Sequence, residues 1–464
     1  MSTLSWLLLT FALVGWLLAP SPAAAQQDGP IYVVEEGDTL IGIALRFGTT
    51  VDALAATNGV TDVAAIFPGM RLLVPGFEGI SGVLETRPIA LGETLDSLAL
   101  KHNAPAGRLA RLNRIANPAR LYVGQLFIVP VEQEEDEPLG VVLVQPAEQT
   151  SALELAVQSG ANPWLVDALN GGSSRLWLNP DDPIYLPGGA GSPNALPEGI
   201  ASISVDPEQP GQGHTAVIRA DLIENGTLSG NLGDRRLNFE PEASDGLVRV
   251  ALQGIHAMAQ PGLVDLSLSY TAPGGSAAFT FVQPIRIREE DYGRELLTVP
   301  TETLDPANTV PEDEQIAAVL APATPTKMWA RPFQFPTSYY DTFPSVFGSR
   351  RNYNDTGWNY YHSGLDLYGS TDTEIYAPAP GVVVFAGPLT VRGNTTYIDH
   401  GWGVYSGYLH QSEILVQPGD RVEAGDLIGM VGGTGRVTGA HLHWEIWVGG
   451  VPVQPLDWTA QGIP

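Results

Sequence analysis

From Tyr32 a short apolar run leads into a Gly37-Asp38-Thr39 turn, Leu40, Ile43, Ala44 and Phe47 follow at helical spacing, and Leu72, Leu73 and Val74 close the segment. Apolar positions at i, i+3, i+4 and i+7 mark one face of a helix, and an apolar triplet bounded by turn residues marks a short strand. The pattern predicts strand, helix, helix, strand, with Asp38 or Thr39 capping the first helix. It recurs with Gly92-Glu93-Thr94-Leu95, Asn113 and Ile128-Val129-Pro130: Gly37 to Asn58 and Gly92 to Asn113 are both 21 positions, and Asn58 to Pro75 and Asn113 to Pro130 are both 17. A third copy is visible by spacing, since Asn170 to Pro187 is again 17 and Leu155-Ala156 stands where Ile43-Ala44 and Leu98-Ala99 stand. Its Gly-Asp-Thr turn is gone, with Gln149 and Thr150 in its place.

Further on, Ala216 to Leu222, Leu247 to Leu252, Leu263 to Tyr270 and Ala277 to Val282 alternate apolar and polar residues between Gly, Pro and Asp clusters. Period-two runs at these intervals predict an antiparallel β-sandwich over residues 198–290, immunoglobulin-like and serving as a spacer. His214 and His256 are isolated within it and read as loop or surface residues. Three segments read as linkers by composition: the acidic stretch 132–140, the Gly/Pro/Ser-rich 188–197, and residues 301–326, where Pro, Ala and acidic residues alternate. Within the last, Ile316 to Leu320 is apolar enough to dock as a short helix instead.

The 16 residues from Leu4 to Ala19 are uncharged and mostly apolar, and Ala23-Ala24-Ala25 offers a small-residue cleavage site. This predicts a signal peptide over residues 1–25, with a membrane anchor through Leu4–Ala19 as the alternative. The expected location is exported: extracellular, in the cell wall or the periplasm. The chain has no cysteine, which rules out disulfides, a Cys nucleophile and Cys-ligated zinc. Its 51 acidic against 23 basic residues give a net charge of −28, which disfavours nucleic acid as a partner.

Histidine is scarce, with 8 in 464 residues, yet His362, His400, His410, His441 and His443 fall in one stretch. His362-x-x-x-Asp366, Tyr408-Leu409-His410 and His441-Leu442-His443 together read as a metal site, and two imidazoles with one carboxylate suit Zn²⁺ with one position left to water. On an extended strand His441 and His443 project to one face. His400, between Asp399 and Gly401, reads as a hydrogen-bonded turn residue, and Glu445 as a strand residue or a support for a ligand. No His-Glu-x-x-His helix is present.

These residues, with Phe347-Gly348-Ser349-Arg350, Ala377-Pro378-Ala379-Pro380-Gly381, Ile398-Asp399-His400-Gly401 and Gly435 to Glu445, resemble the lysostaphin-like (LytM-type) zinc metalloendopeptidases of bacterial peptidoglycan. The resemblance covers about Ser345 to Trp458. It implies a mainly antiparallel-β peptidase domain over residues 336–460, zinc ligands His362, Asp366 and His443, and unliganded catalytic histidines His410 and His441. The sequence does not say which of the two is the base. Trp444 stands where the family often has Phe, and the turn at Arg392 to Thr396 departs from the usual Gly-rich one. The N-terminal repeats resemble LysM modules, small α+β units of βααβ form that bind N-acetylglucosamine-containing glycan. Their boundaries read as 31–76, 86–131 and a degenerate 141–188.

The implied function is an exported peptidoglycan hydrolase cutting peptide cross-links or stems, anchored to glycan by LysM modules. Two alternatives are a non-catalytic activator of wall amidases and a glycan-binding wall protein. Such activators have lost the metal residues, and this chain keeps all five.

Overall fold

In the computed structural model, which describes residues 29–131, 141–144, 146, 149–170, 177–179, 184–187, 196, 199–275, 278–460 and 462–464, one asparagine closes each N-terminal repeat. Asn58 donates from Nδ2 to the carbonyls of Leu54 and Leu73 and accepts from the Leu73 N–H. Asn113 does the same with Leu109 and Ile128, and Asn170 with Val166 and Tyr185. A side-chain amide offers both donors and an acceptor, so one residue stitches the end of the second helix to the returning strand. The apolar spacing explains the rest. Leu40, Ile43, Ala44 and Phe47 are the buried residues of helix Leu40–Phe47, and Ala156 is buried on helix Ala152–Gln158.

The first repeat pairs Ile31–Val33 with Arg71–Leu73, and the third pairs Val141–Val144 with Ile184–Pro187, both antiparallel. Thr39 caps the first helix by accepting from the Gly42 N–H, while Asp38 instead accepts from Glu35 N–H and Tyr32 O–H. In the third repeat Ser151 takes over the cap, accepting from Glu154 N–H, so loss of the Gly-Asp-Thr turn leaves the helix start intact.

Residues 200–287 form two four-stranded antiparallel sheets, and burial alternates along strands such as Thr215–Leu222 and Gly262–Thr271. The sandwich does not stand apart from the C-terminal domain. Val250 and Leu252 join the core of the C-terminal domain, and Gly254 lies so close to Val448, Val451 and Val453 that a Cβ would collide. His214 and His256 sit on this junction: His214 Nδ1 is 2.6 Å from Asp457 Oδ2, and His256 Nε2 is 3.3 Å from the Tyr361 hydroxyl.

Within residues 301–326, expected as a linker with a docking helix as the alternative, the chain is helical over Pro306–Leu320. Helix Pro306–Leu320 buries Ile316 and Leu320 against Tyr397, Tyr405 and Leu409. Just before it, Arg294–Leu297 pairs in parallel with Arg350–Tyr353. Apolar burial decides both outcomes, because the helix places its aliphatic residues on one side of the domain sheet. The Leu4–Ala19 segment, the cleavage site and the acidic stretch 132–140 lie outside the described residues, as does nearly all of 188–197. No single helix among the described residues is long and apolar enough to cross a membrane.

The C-terminal domain is built on one antiparallel sheet in the order Leu365–Leu367, Leu442–Val448, Val404–Gln411, Gly393–Gly401, Gly381–Leu389, Arg421–Val422, with Val451–Val453 also pairing to Leu442–Val448. Trp444, Tyr408, Ile398 and Leu442 are fully buried on one face, over Trp458 and Trp329. The opposite face carries Asp366, His443 and Glu445 together with Tyr397, Tyr405 and Leu409.

Candidate metal centre

Register brings two of the candidate ligands together. Asp366 lies directly opposite His443 across the strand pair, and opposed residues share a face. His362, four residues earlier, folds back over them. His362 Nε2, His443 Nδ1 and Asp366 Oδ1 form a triangle with all three edges at 2.9 Å. All three side chains are buried.

The hydrogen bonds behind the triangle fix its protonation. His362 Nδ1 donates to the Val346 carbonyl at 2.9 Å, and His443 Nε2 donates to Glu445 Oε1 at 3.1 Å. Carbonyl and carboxylate oxygens only accept, so each imidazole turns its lone pair inward. Two nitrogen lone pairs and a carboxylate oxygen aimed at one point repel each other unless a cation lies between them. Two nitrogens and one oxygen, with no sulfur, fit zinc and leave a coordination position open.

Carboxylates anchor both sides. Glu445, two residues after His443 on the same strand face, also accepts from Ser363, Tyr397 and Trp447, so it cannot turn away from His443. On the other side, Glu295 accepts from Arg351 Nε and Ser345 Oγ, Arg351 Nη2 lies 3.6 Å from Asp366 Oδ2, and Ser345 Oγ lies 3.0 Å from His362 Nδ1. Glu445 is legible from period-two alternation. Glu295, 67 positions before His362, leaves no such signal.

The other two histidines stand beside the triangle. His441, in an isolated bridge with Gly432 just before the strand, brings Nε2 to 3.5 Å from Asp366 Oδ1, while its Nδ1 donates to the Gly439 carbonyl. Leu409 pairs with His443, so strict alternation would send His410 to the opposite face. Instead His410 takes a left-handed φ of 65°, which brings its ring centroid to 5.2 Å from His441 and 5.9 Å from His443. Its Nδ1 donates to the Thr434 carbonyl at 2.8 Å, leaving Nε2 unprotonated. Burial, with His443 and His441 close by, pushes His410 down to about 3.

His400 takes no part. It lies in the strand Gly393–Gly401, not in a turn, with Nδ1 bonded to the Pro380 carbonyl and Nε2 to Ser406 Oγ.

Known proteins agree with this architecture. Residues 360–455 match peptidase family M23, and residues 32–75 and 89–130 match the LysM domain. The chain therefore carries an M23 peptidase domain behind two LysM domains. Peptidoglycan DD-endopeptidase ShyC of Vibrio cholerae is 41% identical over 111 residues, 24% of this chain and 26% of that protein. DD-carboxypeptidase/endopeptidase Mpg of Neisseria meningitidis is 38% identical over 118 residues, 25% and 27% of the two chains. The chain thus spans about a quarter of the length of these relatives. A putative M23 peptidase from Pseudomonas aeruginosa superposes with a TM-score of 0.42 at 26% identity, covering 54% of this chain and 95% of that one.

Proposed function

We propose that this protein is a zinc-dependent peptidoglycan endopeptidase acting outside the cytoplasm, with His362, Asp366 and His443 as metal ligands and His410 and His441 as the catalytic histidines. The inward-facing donor triangle carries the proposal. The LysM domains hold the enzyme on N-acetylglucosamine-containing glycan, and residues 141–188 are a third, degenerate unit of the same kind. The names of the relatives make the D,D-cross-link the first bond to test.

A bound zinc ion supplies Lewis acidity, polarising the scissile carbonyl and acidifying water. The chain supplies the proton path. His410 Nε2 and His441 Nε2 both present lone pairs, because their Nδ1–H groups are committed to the Thr434 and Gly439 carbonyls. One accepts the proton of the attacking water, and a protonated ring then donates to the leaving amine or to the developing oxyanion. Glu445 and Glu295 keep the ligand rings and carboxylate oriented throughout.

The test is digestion of purified sacculi of defined cross-link type, with mass spectrometry of released fragments, with and without chelator. Release of new peptide ends that EDTA abolishes is expected. Wall binding without cleavage by zinc-loaded protein would favour the glycan-binding reading, and cleavage only when an amidase is added would favour the activator. For the binding half, deleting residues 31–131 is expected to lower retention on insoluble wall while a soluble peptide is still cut; unchanged retention would refute the anchoring role.

A further inference from the structure

The left-handed kink at His410 needs an external brace, because a non-glycine residue at φ 65° is held there only when its surroundings over-determine it. The brace runs through the peptide Val391-Arg392. The Arg392 carbonyl accepts from the His410 N–H at 3.0 Å, and the Val391 carbonyl accepts from the Arg436 N–H at 2.8 Å. Arg436 belongs to the loop whose Thr434 carbonyl orients the His410 ring. One peptide segment thus sets both the backbone of His410 and the loop that fixes its tautomer.

What holds that segment is a side chain from outside the matched M23 region. Glu312, on helix Pro306–Leu320, is buried and accepts from the Val391 N–H at 2.7 Å, the Arg392 N–H at 3.0 Å and Arg392 Nη1 at 2.9 Å. A carboxylate has the lone pairs for three such donors. Asp313 also reaches Arg392 Nη1 at 2.9 Å, but it is exposed and makes no contact with the loop backbone among the described hydrogen bonds.

From this geometry we infer that Glu312 is a positioning residue for His410: it pins the Val391-Arg392 peptide, which holds the histidine in its kinked, site-facing conformation. The inference rests on the assignment of His410 as a catalytic histidine. It adds an upstream helix, with its docking residues Ile316 and Leu320, to the working peptidase unit.

The experiment compares full-length Glu312→Gln, Glu312→Ala and Asp313→Asn with wild type, reading kcat, KM, zinc stoichiometry and native-state amide exchange. Both Glu312 variants are expected to lower kcat about tenfold or more through misplacement of one proton-transfer group, with KM within about twofold. Zinc content should stay at the wild-type value, and the His410 and Arg392 amides should exchange at least about tenfold faster. Asp313→Asn should match wild type. Glu312→Gln preserves volume and keeps one acceptor, so it serves if Glu312→Ala does not fold. A folded Glu312→Gln with wild-type kcat, or with unchanged protection of the His410 amide, would overturn the inference, and so would a loss of zinc parallel to the loss of kcat. A wild-type protein without zinc-dependent cleavage would refute the endopeptidase reading alone, and the His410 amide would then decide the positioning by itself.

Discussion

The N-terminal repeats and the metal centre are held together over very different chain distances. Each repeat is closed by an asparagine reaching a strand 15 residues away, whereas the metal centre joins His362 to His443 across 81 residues and Glu295 to Arg351 across 56. The local solution tolerates drift. The third repeat has lost its Gly-Asp-Thr turn, yet Ser151 caps its helix and Asn170 makes the same three bonds as Asn58. The long-range solution has no spare part, since each donor of the triangle is supplied once and its supports come from stretches of chain as far apart as Glu295 and Glu445.

Removing a ligand is the harshest way to press that difference. His362→Ala or His443→Ala should abolish zinc retention and lower peptidoglycan cleavage by on the order of a thousandfold, by metal analysis and fragment release. Retained cleavage by His443→Ala would contradict the ligand assignment. Removing a support is milder. Glu445→Gln and Glu295→Gln should weaken zinc binding about 10- to 100-fold in chelator competition, because the rings they orient keep their donor atoms but lose their fixed direction. Equal zinc affinity in both variants and wild type would show that the triangle orients itself.

In the repeats the expected cost is in stability alone. Asn58→Ala or Asn170→Ala leaves backbone groups unpaired, at about 1–3 kcal/mol for each variant. Thermal unfolding should show the affected repeat melting earlier, with cleavage of a soluble peptide unchanged. If Asn170→Ala costs much less than Asn58→Ala, the third repeat has drifted energetically as well as in sequence.

The smallest effect is at the junction of sandwich and peptidase. The hydrogen bond to Asp457 raises His214 above its ordinary 6.5 against an opposing effect of burial, with Glu290 adding to the rise and Arg288 opposing it. A raised folded-state pKa contributes stability that is fully present below pH 6.5 and is lost as pH climbs through the folded value. Wild type should therefore lose about 1–2 °C of melting temperature relative to His214→Gln between pH 5.5 and 8.5. Parallel pH profiles would remove the pair from the interface.

What the sequence made legible follows the same division. Spacing reveals the repeats because their contacts are local, and the histidine motifs point to the candidate metal centre because their chemistry is rare in this chain. Helix Pro306–Leu320 was only half visible: its apolar end, Ile316 to Leu320, signals docking, but Pro and acidic residues along the rest read as a linker. Glu295 and Glu312 look like two more solvated acids among 51, and only the fold shows which donors each accepts from. The shared core of sandwich and peptidase was hidden for the same reason, since Val250 and Leu252 alternate as any strand residues do.

A cation held by two imidazoles and one carboxylate is tested most directly by zinc-edge X-ray absorption on the purified protein, beside His362→Ala and Asp366→Ala. One zinc per chain is predicted, with nitrogen and oxygen neighbours at about 2.0–2.2 Å, no sulfur, and loss of the signal in both variants. A wild-type protein that takes up no zinc, or variants that keep it in an unchanged shell, would contradict the account.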